Sequence, residues 1–359
     1  ILKLGIYQIK YMDSVPDNAA VNETVNLAKQ AKKVSAAKFV NAVLRHFIRD
    51  NKSINYPEDP VKRLSIEYSC NYELIDKICA DYSYDQAEKF LKASLEPHKN
   101  YIRVNTLKTT SDELTTKLLN YGIHAEKSPY LADCLYVDKI NNLENCRLFS
   151  EGYFHIQDLS SQLCCKVLNP QPNDTIIDLC AAPGGKTLTI AEMLNNKGRI
   201  IAADLHEKRV KLISKAAERL DIDIIETMQN DAKIYNSQMP LADKILCDVP
   251  CSGFGVIRSK PEIKYTELEK IKKLPDIQYE ILSTASQYLK KNGELVYSTC
   301  TINKSENDAI IDRFLNEHKN FEPVEIMQEY KIYNGYKATI FPEHFGCEGF
   351  FISKIRKVD

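Results

Sequence analysis

No stretch of this 359-residue sequence is apolar for long enough to cross a bilayer, since a spanning helix needs roughly 20 such residues. No cleavable leader is visible either, so a cytoplasmic chain is expected. Net charge is also lacking: 48 Lys and Arg stand against 49 Asp and Glu, and a balance of −1 does not by itself announce a polyanionic partner. The eleven cysteines contain no pair spaced by two residues, and their number is odd. Zinc ribbons and disulfide frameworks are thereby disfavoured, no metal is expected, and reduced thiols, most of them small core hydrophobes, fit best. Internal repeats and low-complexity tracts are absent. So is G-x-G-x-x-G, and a phosphate-binding G-x-x-x-x-G-K-[ST] loop fails because Cys180 stands where its first glycine belongs.

The length implies two or three domains. The chain opens at Ile1, already inside a helix-like pattern, and reads as a piece whose own N-terminus is missing. Residues 1–58 are expected to be helical, with a basic stretch in which Lys29, Lys32, Lys33, Lys38, Arg45, Arg49 and Lys52 face Asp50 alone. Residues 59–150 read as a small α+β domain, with strands at Tyr101–Asn105 and Leu135–Val137 and a helix from Ser111 to Tyr121 capped by Ser111 or Asp112. Residues 151–359 alternate strand and helix, the pattern of a parallel α/β sheet. Strands are expected at Thr175–Cys180, Arg199–Asp204, Ile224–Met228, Lys244–Asp248 and Glu294–Ser298, with helices at Leu188–Leu194, Glu207–Leu220, Glu267–Leu289 and Ser305–Glu317. Two late strands, near Ala338–Phe341 and Gly349–Ile355, suit an antiparallel edge.

Chemistry concentrates at the carboxyl ends of these strands. The first runs into Cys180-Ala181-Ala182-Pro183-Gly184-Gly185-Lys186, where two glycines let the backbone approach a ligand and a helix N-terminus offers free N–H groups. Asp204, Asp231 and Asp248 follow the next three strands, where a carboxylate can accept from a ribose diol; the set points to a nucleoside-type ligand. Two thiols lie beyond adjacent strands, Cys251 in Asp-Val-Pro-Cys-Ser and Cys300 in Ser-Thr-Cys-Thr, whereas Cys164, Cys165 and Cys247 sit in apolar sequence and read as core. A thiolate that adds to C6 of cytosine turns C5 into a nucleophile able to take a methyl group. These parts suffice for such a reaction, but they do not rank one thiol above the other.

With these residues quoted, the chain resembles the NOL1/NOP2/Sun family of RNA cytosine-C5 methyltransferases, and within it the bacterial Sun/Fmu (RsmB) branch, which acts on 16S ribosomal RNA. The likeness runs through Gln157-Asp158-Leu159-Ser160-Ser161-Gln162, the glycine turn, Asp248 to Arg258, Leu295 to Thr301 and Gly346 to Phe351. Phe39 to Arg45 resembles the second half of a NusB-like RNA-binding domain. The resemblance implies a class I, Rossmann-like methyltransferase sheet of seven mostly parallel strands, preceded by a small α+β domain and a truncated NusB-like helical segment. It implies S-adenosyl-L-methionine as cofactor, held by Cys180, Ala181, Ala182, Pro183, Gly184, Gly185, Lys186, Asp204, Asp231 and Asp248. It makes Cys300 the nucleophile and Cys251 the thiol of product release, with Asp248 facing a cytosine of the 967 type, in an enzyme expected to be monomeric.

Val249, Phe254 and Asn230 depart from the family pattern, which bears on substrate fit. Arg258, Lys260 and Lys264 are candidate phosphate contacts, with a solvated loop as the alternative. Two rival readings remain: a tRNA or 23S rRNA cytosine methyltransferase of the same family, and a catalytically silent RNA-binding or antitermination module. The NusB-like segment speaks against the first, and the intact thiols and glycine turn against the second.

Overall fold

Apolar residues recurring every three to four positions along the first fifty residues become three helices, α1 (Leu2–Tyr11), α2 (Asp17–Gln30) and α3 (Ala37–Arg49). Their inner faces meet in Ile9, Ala20, Val21, Ala28, Val40 and Leu44. Lys29, Lys32, Lys33, Lys38, Arg45 and Arg49 stay exposed, and only Lys52 is half-buried, 2.9 Å from Asp17. The structure, a computed structural model, describes residues 1–138, 146–330 and 335–359. It forms two compact units, Ile1–Arg63 and Leu64–Asp359, divided within α4 (Pro60–Glu67).

The second unit opens with α5 (Tyr72–Asp81) and α6 (Tyr84–Ala93), whose first turns are capped by Asn71 and Ser83. Next come β1 (Asn100–Val104), α7 (Ser111–Asn120), β2 (Ala125–Lys127), β3 (Cys134–Val137), α8 (Arg147–Ser150) and β4 (Phe154–Ile156). The strands form an antiparallel sheet in the order β2-β3-β1-β4, and α7 buries Leu114 and Leu118 against Ile102, Val104 and Leu135. The cap of α7 is Thr110, one residue before the expected Ser111 or Asp112, because Glu113 reaches back to the Thr110 N–H and closes a capping box.

The larger sheet follows from α9 (Leu159–Leu168) onward: β5 (Thr175–Asp178), α10 (Gly185–Met193), β6 (Arg199–Asp204), α11 (Glu207–Leu220), β7 (Ile225–Gln229), β8 (Ala242–Asp248), α12 (Leu274–Gln287), β9 (Leu289–Thr299), α13 (Asp308–Glu317), β10 (Phe321–Pro323), β11 (Lys337–Ile340), α14 (Pro342–Phe345) and β12 (Phe350–Lys357). Strands β7, β6, β5, β8 and β9 run parallel in that order, and β12 is antiparallel to β9. Alternate residues serve opposite faces, as a sheet covered on both sides requires. Ile176, Leu246 and Val296 pack with α9 and α10, whereas Ile177, Ile245, Cys247 and Leu295 pack with α12 and α13. This is the mostly parallel, Rossmann-like sheet expected of a class I methyltransferase.

Two expectations need correction. Among the described residues the sheet has eight strands rather than seven, because two short ones share the outer edge of β12: β10 pairs with residues 355–357 and β11 with residues 350–353. The helix expected over Glu267–Leu289 is a 3-10 turn at Leu268–Ile271 followed by α12, since Pro275 belongs in a first turn, where its missing N–H costs nothing. No helix among the described residues is long and apolar enough to cross a membrane.

Candidate active site

The turn between β5 and α10 is held from below. Asp178, buried at the end of β5, accepts the Thr187 hydroxyl at 2.7 Å, and burial pushes its carboxyl up to about 7 despite that bond. Gly184 adopts φ +109°, a conformation other residues rarely enter, and a Cβ there would crowd Ile213 of α11 at 3.3 Å. The turn also ties to its neighbour strand, with the Ala181 N–H donating to the Ala203 carbonyl at 2.9 Å. Lys186, in the first turn of α10, places its ammonium 2.7 Å from Asp248 and 5.1 Å from the centre of the Phe350 ring. Burial lowers its pKa, but the charge and hydrogen bond of Asp248, together with Cys164 and Cys165, outweigh that and hold it above the ordinary lysine value.

The carboxylates line up as the strand order requires. Asp204 is 3% exposed and accepts the backbone N–H of Ala182 and of His206, each at 3.2 Å, while Arg209 lies 3.3 Å away. Asp231 closes its own loop through the Lys233 N–H. Asp248 is fixed at both oxygens, by Lys186 and by the Ser298 hydroxyl at 2.8 Å. A cleft of about 370 Å³ runs along these strand ends and brings together Cys180, Ala182, Asp204, Asp231, Asp248, Cys251 and Cys300. Ala181, Pro183, Gly185 and Lys186 instead line an adjoining cleft of about 220 Å³ that shares Cys180, Ala182 and Asp248; Gly184 lines neither and only shapes the turn. Carboxylate acceptors, Asp204 buried and Asp231 and Asp248 half-buried, stand beside Val249, Ile277 and Ile281 and form an acceptor and apolar set that suits a ribonucleoside, with hydroxyls at one side and a flat ring at the other.

The two thiols meet across the ends of β8 and β9. The Cys251 and Cys300 sulfurs are 3.2 Å apart, both half-buried. The hydrogen bond from Cys251 lowers the Cys300 pKa below the usual thiol value; burial and Asp248 oppose this, and Lys186 and Lys260 assist. The Cys251 pKa is raised well above the usual value, first by its bond to Cys300, then by burial, and also by the Cys300 and Glu306 charges. The pair therefore titrates as a unit that loses its first proton readily and its second with difficulty.

Several residues of this region were not singled out from sequence. Ser298 and Asp178 fall within the expected strands Glu294–Ser298 and Thr175–Cys180 but carry no role there. Glu306 falls within the helix expected at Ser305–Glu317 and carries no role there, yet it is completely buried beside the Cys251 loop. Among the departures, Val249 and Asn230 line the cleft, whereas Phe254 is buried in the turn that follows Cys251. The phosphate candidates divide. Lys260 is exposed, Arg258 bonds the Gly346 carbonyl at 3.0 Å, and Lys264 is buried with its ammonium on the Tyr68 carbonyl at 3.3 Å, which withdraws it from any phosphate. Cys164, Cys165 and Cys247 lie in the core, as expected.

Comparison with known proteins gives this arrangement a family. Residues 165–356 match the family model described as 16S rRNA methyltransferase RsmB/F. The chain belongs to the RsmB/F family. Its earlier parts match the NusB family over residues 1–49 and the ferredoxin-like domain of RsmF/B-like methyltransferases over residues 74–144. The chain is 39% identical to the "Probable ribosomal RNA small subunit methyltransferase B" of Bacillus subtilis, covering 99% of this chain and 82% of that protein. It is 33% identical to the protein of the same name from Synechocystis, over 99% and 82%. Among solved structures it resembles NSun6 of Pyrococcus horikoshii with SFG, an S-adenosylmethionine analogue, at 27% identity and a TM-score of 0.73, covering 80% of this chain and 98% of that one. Membership in the RsmB/F family makes the chain an RNA methyltransferase that uses S-adenosyl-L-methionine.

Proposed function

We propose that the chain methylates C5 of a specific cytosine in 16S ribosomal RNA, of the 967 type, through a covalent bond between Cys300 and C6 of the ring. The observation that carries this reading is the thiol pair 3.2 Å apart, with Cys300 the more acidic member, at the mouth of a nucleoside-shaped cleft. The names of the relatives support the small-subunit RNA as substrate. We divide the chain into a NusB-like RNA-binding segment (1–58), a small α+β domain (59–150) and the catalytic domain (151–359), working in the cytoplasm.

In this reading the Cys180–Lys186 turn, Asp204, Asp231 and Asp248 would hold S-adenosyl-L-methionine, which when bound would supply an electrophilic methyl group with a neutral thioether as its leaving group. The target base must leave its stack to reach a thiol at the strand ends. Asp248, locked by Lys186 and Ser298, accepts from the exocyclic amine of the cytosine and orients the ring. The Cys300 thiolate attacks C6, forming the C–S bond and making C5 nucleophilic. After methylation, water takes the C5 proton, the C5–C6 double bond re-forms, and the C–S electron pair returns to Cys300 as a thiolate, to which the Cys251 S–H donates a hydrogen bond.

Single-cysteine variants incubated with rRNA and cofactor test these roles. C300A is expected to lose both methyl transfer and any covalent RNA complex; continued turnover would contradict its role as nucleophile. C251A is expected to form the adduct and fail to release it, giving a retarded band on a denaturing gel. Bisulfite mapping of rRNA with and without the protein identifies the modified cytosine.

A further inference from the structure

Glu306 is a carboxylate buried without a cation. It is 0% exposed, and none of the ion pairs among the described residues includes it. One oxygen accepts the backbone N–H of Ser252 at 2.9 Å and the Gln278 side-chain amide, also at 2.9 Å; the other accepts the Asn303 amide at 2.7 Å. All three partners are N–H donors, the set that suits an anion. Two of these bonds bear on the second thiol. Ser252 directly follows Cys251, and the Gln278 amide also donates to the Pro250 carbonyl at 2.9 Å, so the peptides on either side of Cys251 hang from one carboxylate. On the Cys300 side, the Tyr297 hydroxyl of β9 donates to the Glu306 carbonyl at 2.6 Å, and the Cys300 carbonyl accepts from Gly255 at 3.0 Å. The cost of a lone carboxylate in a dry interior demands a return.

We propose that Glu306 is a positioning residue that keeps the shared proton of the thiol pair on Cys251, so that Cys300 is the thiolate. A fixed negative charge next to the Cys251 loop disfavours a second negative charge at Cys251 more than at Cys300, which has Lys186 and Lys260 on its side. The same hydrogen bonds aim the Cys251 S–H at its neighbour. The groups facing the pair are Asp248 at the end of β8, Lys186 on α10, Lys260 beyond the Cys251 loop, Tyr297 on β9 and Glu306 before α13. Among them Glu306 is the anion bonded to the Cys251 loop itself. Two thiols on adjacent loops are alike in chemistry, and this asymmetric charge makes them unlike.

The inference rests on the reading in which Cys300 attacks and Cys251 assists release, and its test separates the two. Full-length protein is alkylated with iodoacetamide from pH 6 to 9, and the label on each cysteine is read by mass spectrometry. In the unmodified protein Cys300 is expected to take most of the label that falls on the pair. In E306Q, which keeps the size and removes the charge, the share on Cys251 is expected to rise at least tenfold, and release of the RNA adduct is expected to slow. E306D, which keeps the charge, is expected to restore most of the Cys300 selectivity; a loop that had merely loosened would not recover with a shorter side chain. If E306Q does not fold, Q278M removes the Pro250 bridge and leaves the charge in place, and a roughly threefold rise in Cys251 labelling is expected. An E306Q or Q278M protein with the label distribution and release rate of the unmodified chain overturns the inference. Turnover by C300A would overturn only the parent reading, and the labelling pattern would still decide where the proton resides.

Discussion

Asp204 shows what one residue does when its surroundings are fixed. Its two oxygens accept from the turn at Ala182 and from His206, the residue preceding α11, so it rigidifies the backbone around the cleft and also faces into it. D204N replaces one acceptor by an N–H donor that opposes an existing donor, and it removes the anion suited to a ribose diol. The expected outcome is at least a tenfold loss of S-adenosylmethionine affinity by calorimetry, about 1.4 kcal/mol or more, with the thermal midpoint of the free protein shifted by only a few degrees. Asp204, Asp231 and Asp248 were all legible as residues, because a carboxylate just past a strand has few places to point. Glu306 was not: in the sequence nothing separates it from the exposed glutamates of a surface helix, and its burial depends on Ser252, Gln278 and Asn303 arriving from three places.

At the scale of elements, the thiol geometry depends on how closely three segments approach. The Gly255 N–H donates to the Cys300 carbonyl at 3.0 Å and the Gly349 N–H to the Gly255 carbonyl at 2.9 Å, which stacks the loop after Cys251 on the loop after Cys300 and on the segment entering β12. A Cβ on Gly255 would lie 2.0 Å from the Gly349 carbonyl oxygen, backbone against backbone. G255A is therefore expected to separate the thiols, reduce methyl transfer at least a hundredfold, and lower the unfolding midpoint by several degrees, measured by activity assay and thermal melt. Four of the five parallel strands were read to within two residues at each end, since neighbours buried on both faces need continuous apolar runs, whereas β9 begins five residues before the expected Glu294. The ends of helices were read less well. The capping box at Thr110 and the start of α12 at Leu274, with Pro275 in its first turn, rest on single bonds and single residues, which periodicity does not register.

At the scale of the molecule, the near-zero net charge conceals an uneven distribution. The first unit keeps six cations on its surface in the stretch from Lys29 to Arg49, while its apolar residues close a core of their own. Removing residues 1–58 is expected to leave a folded protein that binds S-adenosylmethionine with unchanged affinity. Its binding to rRNA should weaken. The salt dependence should become shallower by about 0.7 in log–log slope for each phosphate of single-stranded RNA that these cations no longer neutralise. Filter binding from 50 to 300 mM salt measures this, and an unchanged slope would remove the basic stretch from the RNA interface.

The sequence by itself determined the order of strands and helices, the glycine turn, the acidic residues at successive strand ends and the presence of two thiols, because each of these is local and has a period or a spacing. The residues alone did not rank the thiols; only the family resemblance did. Tertiary structure decided what depends on distance. It joined the sulfurs at 3.2 Å, locked Asp248 between Lys186 and Ser298, took Lys264 away from solvent, and set a buried carboxylate beside one cysteine and not the other. Charge acts through space rather than along the chain, so the difference between Cys251 and Cys300 exists only after folding.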